Sequence, residues 1–201
     1  MIRVLLAEDQ AMVRQAIAGL LDLEPDIEVV AQVGRGDEVL GVAAEVRPDV
    51  TLLDIEMPGM SGLDVLGRLV KELPSCRVLM VTTFGRVGYL QRAMEAGATG
   101  FLLKDAPIAQ LTDAIRRAVA GVRTVDPGLA ATALSEGTNP LTARERQVLL
   151  KARTDAIVDE IAKDLYLSSG TTRNHLSAIM QKLGARNRAE ALRIAEEKGW
   201  L

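Results

Sequence analysis

Aromatic residues make up only 2% of this 201-residue chain, so Leu, Val, Ile, Met and Ala must fill its interior. Cysteine occurs once, at Cys76, which excludes an intrachain disulfide and any multi-cysteine metal site. Cys76 lies in the apolar run CRVLMVT, where a buried, inert thiol is expected. The single histidine, His175, likewise excludes a His-cluster metal centre. No apolar run approaches the ~18 residues needed to span a bilayer. The opening MIRVLLAEDQ reaches two acids before a signal-peptide core can form. A cytoplasmic location with no membrane attachment is the expectation.

What is present is an ordinary globular composition, with 48% hydrophobic and 25% charged residues. The net charge of −3 hides an asymmetry. Residues 141–201 carry 11 bases and 8 acids, a net +3, while residues 1–140 carry 13 bases and 19 acids, a net −6. An acidic front and a basic back predict different partners for the two parts. A charge of +3 alone is a weak nucleic-acid signal.

The first 120 residues alternate short β-like runs with helical patterns. The runs are Ile2–Ala7, Ile27–Val33, Val50–Leu53, Val78–Val81 and Gly100–Leu103. Several are apolar throughout, as strands buried on both faces of a parallel sheet should be. Between them, Val13, Ile17, Leu20 and Leu21 mark one apolar helix face, and Ile108, Leu111, Ile115 and Val119 mark another. Five β–α repeats imply a doubly wound α/β domain, spanning residues 1–121. Residues 122–139 mix Gly, Pro, Ser, Thr and Ala and read as a linker with one short helical turn around Leu129–Leu134. From Pro140 to the last residue the chain reads as all-α. Four helices are predicted, over Thr142–Lys151, Val158–Leu165, Ser169–Leu183 and Arg188–Lys198.

A doubly wound sheet binds ligands beyond the carboxyl ends of its strands. Glu8 and Asp9 follow the first strand, Asp54 follows the third, Thr82 the fourth and Lys104 the fifth, so all five should share one edge. Singly, each has a commoner explanation: Asp9 could cap the following helix, Thr82 suits a strand, and Lys104 could be a solvated charge. Together they define a chemistry. Three neighbouring carboxylates repel unless a hard cation neutralises them, and Mg²⁺ suits such an oxygen set. A carboxylate can attack phosphorus to form an aspartyl phosphate, with positive groups stabilising the transferring oxygens. Asp54 is the best nucleophile, Glu8 and Asp9 are candidate metal ligands, Lys104 a phosphate or carboxylate partner, and Thr82 a hydroxyl donor.

In the third predicted helix of the last segment, Leu176, Ile179, Met180 and Leu183 form one apolar face, and Ser168 is placed to cap its start. Arg173, Asn174, Ser177 and Gln181 lie off that stripe. Such side chains can read base edges in a major groove, although an ordinary amphipathic helix shows the same pattern. The preceding helix, with Ile157, Ile161, Ala162 and Leu165 turned inward, would brace it.

The strings LLAEDQ, LLDIEMPGMSG, VLMVTTF and GFLLKD resemble the receiver domain of two-component response regulators. The strings LTARERQVLL, EIAKDLYLSSGTTRNHLSAIMQKLG and ARNRAEA resemble the LuxR-type helix-turn-helix of the NarL/FixJ regulators. These resemblances imply a five-stranded parallel sheet in the order 2-1-3-4-5, followed by a four-helix DNA-binding domain over residues 140–201. They imply that Asp54 accepts a phosphoryl group from a sensor histidine kinase. The backbone carbonyl of Glu56 would complete the Mg²⁺ shell, and Thr82 with Phe101 would form a switch pair. Phe101 is equally well explained as a core aromatic. Arg173 and Asn174 would read bases or phosphates, with Thr171 and Lys182 as phosphate contacts. Homodimerisation on phosphorylation, promoter DNA and RNA polymerase complete the implied partners. Four positions depart from the family pattern: Thr83 beside the pocket, Asp105 after the lysine, Asp155 in a turn, and Thr172 in place of a valine.

Two other readings compete with transcriptional regulation. An Mg²⁺-dependent phosphatase would need an Asp two residues after the nucleophile, where Glu56 stands, so no enzyme activity is expected. A DNA-binding module with a vestigial receiver is the alternative, and it is disfavoured because Glu8, Asp9, Asp54, Thr82 and Lys104 are all present.

Overall fold

The computed structural model describes residues 1–136, 138–154 and 156–201. Asp155, one of the departures noted above, lies outside them. The chain forms two compact units, one of Met1–Gly85 with Leu90–Thr132 and the other of Arg86–Tyr89 with Ala133–Leu201.

Over residues 2–119, strands and helices alternate: β1 (Ile2–Ala7), α1 (Ala11–Leu21), β2 (Ile27–Val33), α2 (Gly36–Val46), β3 (Val50–Leu53), α3 (Gly62–Glu72), β4 (Arg77–Thr82), α4 (Val87–Glu95), β5 (Gly100–Leu103) and α5 (Ile108–Val119). All strand pairs are parallel. Every residue of β3 is buried, because helices cover both sheet faces. On one face Val4, Leu6, Leu52 and Leu79 pack with Ala18 and Leu21 of α1 and with Leu111, Ala114, Ile115 and Ala118 of α5.

Three details differ from expectation. The sheet has six strands in the order β2-β1-β3-β4-β5-β6, the predicted five plus a short β6 (Thr124–Val125) beside β5. Gly100 admits it: a Cβ there would lie 2.6 Å from the Thr124 carbonyl oxygen. The linker also holds a longer helix than predicted, α6 (Pro127–Glu136). The Asp126 carboxylate accepts the Leu129 N–H at 2.9 Å, and Pro127 suits the first helical position. Third, Leu20 of α1 and Val119 of α5 are exposed. The core on that face is met instead by Ala18 and Leu21 of α1 and by Leu111, Ala114, Ile115 and Ala118 of α5.

In the second unit, α7 (Ala143–Lys151), a 3₁₀ turn (Ala152–Thr154), α8 (Val158–Asp164), α9 (Ser169–Leu183) and α10 (Arg188–Glu197) surround a core of Leu141, Val148, Leu149, Ile161, Leu176 and Ile179 with smaller residues. The caps explain the boundaries. Thr142 and Glu145 form a reciprocal capping box on α7, and Ser168 Oγ accepts the Thr171 N–H at 3.0 Å on α9. The α9 helix ends at Gly184, whose φ of 63° is left-handed. Ile161 and Ala162 face inward as predicted, whereas Ile157 is exposed. Ile157 is the N-cap of α8, in extended conformation, so it stands before the helix and off its buried face.

Candidate functional site

The parallel topology brings Glu8, Asp9 and Asp54 to one edge, as their order in the sequence predicts. Their carboxylate oxygens lie within 4.8 Å of one another. Glu8 and Asp54 are buried and Asp9 is exposed. Lys104 reaches in from the end of β5, its Nζ 2.5 Å from Glu8 Oε2 and 2.9 Å from Asp54 Oδ2. One ammonium therefore bridges two carboxylates that would otherwise repel at short range, and offsets part of their charge.

Backbone donors hold the acids in place. Asp54 Oδ1 accepts the Ile55 N–H at 2.7 Å, and Glu8 Oε1 accepts the Gln10 N–H at 3.1 Å. Burial pushes the Glu8 carboxyl above its ordinary range, and Asp54 adds to that, against the opposing hydrogen bonds from Lys104 and Gln10. For Lys104 burial works against the charge, but the hydrogen bonds to Asp54 and Glu8 prevail and raise its pKa.

The loop after β3 folds back over Asp54 because Gly62 has no side chain. A Cβ at Gly62 would lie 1.8 Å from the Asp54 carbonyl oxygen, and the Gly62 N–H donates to the Ile55 carbonyl at 2.9 Å. Beside Asp54 a cavity of about 90 Å³ is lined by Asp9, Glu56, Thr82, Thr83 and Phe84, among others. It is polar and large enough for a small anion. Thr82 is buried at its wall, and its Oγ accepts the Phe84 N–H at 3.3 Å. Thr83 lines the cavity as well, so this departure from the family pattern falls where an incoming group would pass. Phe101 is wholly buried, in β5 between Met80 of β4 and Val125 of β6.

In the second unit, Thr171, Arg173, Asn174, Ser177 and Gln181 are all exposed on α9, opposite the buried Thr172, Leu176 and Ile179. Thr172 lies fully buried and its hydroxyl donates to the Ser168 carbonyl at 3.1 Å, which supplies the partner that this substitution requires. Lys182 is engaged within the unit. Its Nζ lies 2.7 Å from Glu145 Oε2, the oxygen that also accepts the Thr142 N–H.

Sequence reasoning did not reach Arg14, whose guanidinium donates to the backbone carbonyls of Glu8 and Asp9. Nor did it reach Arg116, which ties α5 to Glu24 and Asp26 at 2.6 Å each. No spacing rule links those residues; only the fold brings them together.

An α/β unit with an acidic pocket at the strand ends, joined to a helix-turn-helix unit with a polar outer face, defines a class of regulated DNA-binding proteins. Residues 4–116 match the response regulator receiver domain, and residues 139–195 match the bacterial regulatory proteins of the luxR family. The chain belongs to the two-component response regulators that carry a LuxR-type DNA-binding domain. It is 48% identical over 201 residues to the uncharacterized transcriptional regulatory protein YvfU of Bacillus subtilis (strain 168), covering 100% of both chains. It is 43% identical to the transcriptional regulatory protein DesR of the same organism, covering 100% of this chain and 99% of DesR. Among solved structures it resembles the response regulator ChrA of a heme-sensing two-component system. That match has a TM-score of 0.59 and 33% identity, and covers 100% of this chain and 98% of ChrA.

Proposed function

We propose that Asp54 is the phosphoacceptor of this response regulator and that its phosphorylation controls promoter binding by α9. Residues 1–121 would receive the signal, residues 140–201 would bind DNA, and residues 122–139 would connect them. The observation that carries this reading is the buried Asp54 carboxylate, gathered with Glu8 and Asp9 within 4.8 Å and bonded to Lys104.

The donor set fits a hard divalent cation, being all oxygen and richer in negative charge than Lys104 alone can balance. Glu8, Asp9, Asp54 and the Glu56 carbonyl oxygen would hold Mg²⁺, which supplies positive charge beside the transferring phosphoryl oxygens. Asp54 Oδ attacks the phosphorus of a phosphohistidine on a sensor kinase. The new P–O bond replaces the P–N bond, and the imidazole leaves with its electron pair. Lys104 Nζ is free to turn from the carboxylates to a phosphoryl oxygen, and the Thr82 hydroxyl donates to another. The group adds nearly two negative charges. Thr82 and Lys104 follow it, and Phe101 in the neighbouring strand moves with them, which biases the surface formed by the β4–α4 and β5–α5 loops between two arrangements.

On α9, Arg173, Asn174 and Ser177 read base edges and Thr171 contacts phosphate. A phosphate contact from Lys182 would exchange one anion for another, so its net share is small. Phosphorylated chains pair, which sets two recognition helices about one helical turn (~34 Å) apart on DNA and raises effective concentration. RNA polymerase is the partner at the promoter, and the cytoplasm is the compartment. Among the described residues no helix is long and apolar enough to cross a membrane.

The test is a gel shift on genomic fragments with and without beryllofluoride, using the intact chain and its Asp54→Asn variant. Beryllofluoride should tighten binding of the unaltered chain and leave Asp54→Asn unaffected. Equal affinity with and without beryllofluoride in the unaltered chain would instead identify a phosphorylation-independent DNA-binding protein.

A further inference from the structure

The β1–α1 loop places two carboxylates and two backbone carbonyls within a few residues of one another. Lys104 meets the Glu8 carboxylate on one side. On the other, the Arg14 guanidinium donates through Nη1 to the Glu8 carbonyl oxygen, and to the Asp9 carbonyl oxygen at 3.4 Å. Arg14 stands in the first turn of α1, a helix with no acid in that turn and no side-chain cap at Gln10. A cation there opposes the helix dipole, so local helix energetics do not account for it. Its seat is shaped by Gly34 after β2, where a Cβ would come within 3.1 Å of Arg14 Nη1.

We infer that Arg14 is a positioning residue for the divalent-cation site: by gripping the carbonyls of Glu8 and Asp9 it fixes the loop so that both carboxylates converge on the cation. This rests on the pocket reading given above. The two N–H bonds of Nη1 lie in the plane of the guanidinium and so point at the two carbonyls along fixed lines, which a freely rotating ammonium does less well. Partners that orient metal ligands from behind typically affect metal affinity by about 10–100-fold.

The test is calorimetric titration of Mg²⁺ into the full chain and its Arg14→Met, Arg14→Lys and Gly34→Ala variants. Melting without Mg²⁺ and labelling by acetyl phosphate at saturating Mg²⁺ would be measured alongside. Arg14→Met should weaken Mg²⁺ binding about tenfold or more, while labelling at saturating Mg²⁺ stays within about twofold of the unaltered chain. Arg14→Lys should recover part of the affinity. Gly34→Ala, which shifts the guanidinium by a few tenths of an ångström without removing it, should lose a few-fold. An Mg²⁺ affinity unchanged in both Arg14→Met and Gly34→Ala, whatever happens to melting, overturns the inference and leaves Arg14 a structural brace. No Mg²⁺ binding by the unaltered chain would instead overturn the pocket reading itself.

Discussion

At the scale of single residues, one charge can serve two elements. Glu145 is nearly buried, and one of its carboxylate oxygens holds both the Thr142 N–H at the start of α7 and the Lys182 ammonium from α9. Burial alone would raise its pKa, but the hydrogen bonds from Lys182 and Thr142 overcome it and hold the carboxyl below the usual 4.5. A depressed folded pKa stabilises the fold at pH values above the unfolded pKa. That contribution is lost as pH falls from about 4.5 through the folded value. Acid titration of the melting temperature should therefore show a step below pH ~4.5 that is absent in Glu145→Gln. An identical acid profile in the two proteins would remove Glu145 from the account. The sequence reading did not reach this role: the capping box at Thr142 came to light in the folded structure, and nothing in the linear order announces that Lys182 shares its oxygen.

Among the secondary-structure elements, the segment between the two domain patterns is better ordered than its composition suggests. Gly, Ser, Thr and Ala give no periodicity over residues 122–136, and a two-residue strand is too short to show one. Nevertheless β6 pairs with β5, and the Asp126 N–H donates to the Phe101 carbonyl at 3.1 Å. Leu129 is buried, its Cδ1 alongside Leu103 Cδ2 near Gly85, within 3.4 Å of where a Cβ on that glycine would stand. The start of α6 is therefore docked on the receiver beside the loop that follows Thr82. Truncation of this side chain forfeits about 2 kcal/mol or more of apolar packing, lost locally if only α6 releases. Hydrogen exchange should show Leu129→Ala speeding the α6 amides about 30-fold while β1 and β3 stay protected. Uniform acceleration through the sheet would mean that α6 is part of the global core. By contrast, the β1, β3 and β5 runs and the helices of the last sixty residues were legible, because length and apolar pattern suffice for elements that are buried or amphipathic over several turns. The inward faces were less so. A pattern reading favours large residues, and in α5 the sheet is met by Ala114 and Ala118 while Val119 stays outside.

For the whole molecule, charge sets the terms of DNA binding. The chain carries −3 overall but +3 over residues 141–201, so one copy offers DNA few neutralising contacts against a net repulsive field. Two paired copies double the phosphates met. The logarithm of affinity falls with the logarithm of salt in proportion to those contacts, so beryllofluoride should roughly double the salt slope along with tightening binding. A tighter complex with an unchanged slope would show that a single copy is activated without pairing.

The order of residue types along the chain determined by itself that there is an acidic pocket at the end of a parallel sheet and a polar helix face after it. Strand alternation obliges residues at successive strand ends to share an edge, and helical spacing obliges one face to be polar when the other is apolar. Tertiary structure decided which of its possible partners Lys104 meets, namely Glu8 and Asp54, and it alone set Arg14 behind the loop that bears Glu8 and Asp9 and Glu145 under Lys182. Hydrogen bonds depend on distances of tenths of an ångström, and those are set by how far each element packs into its neighbours, a property of the folded core that spacing along the chain does not carry.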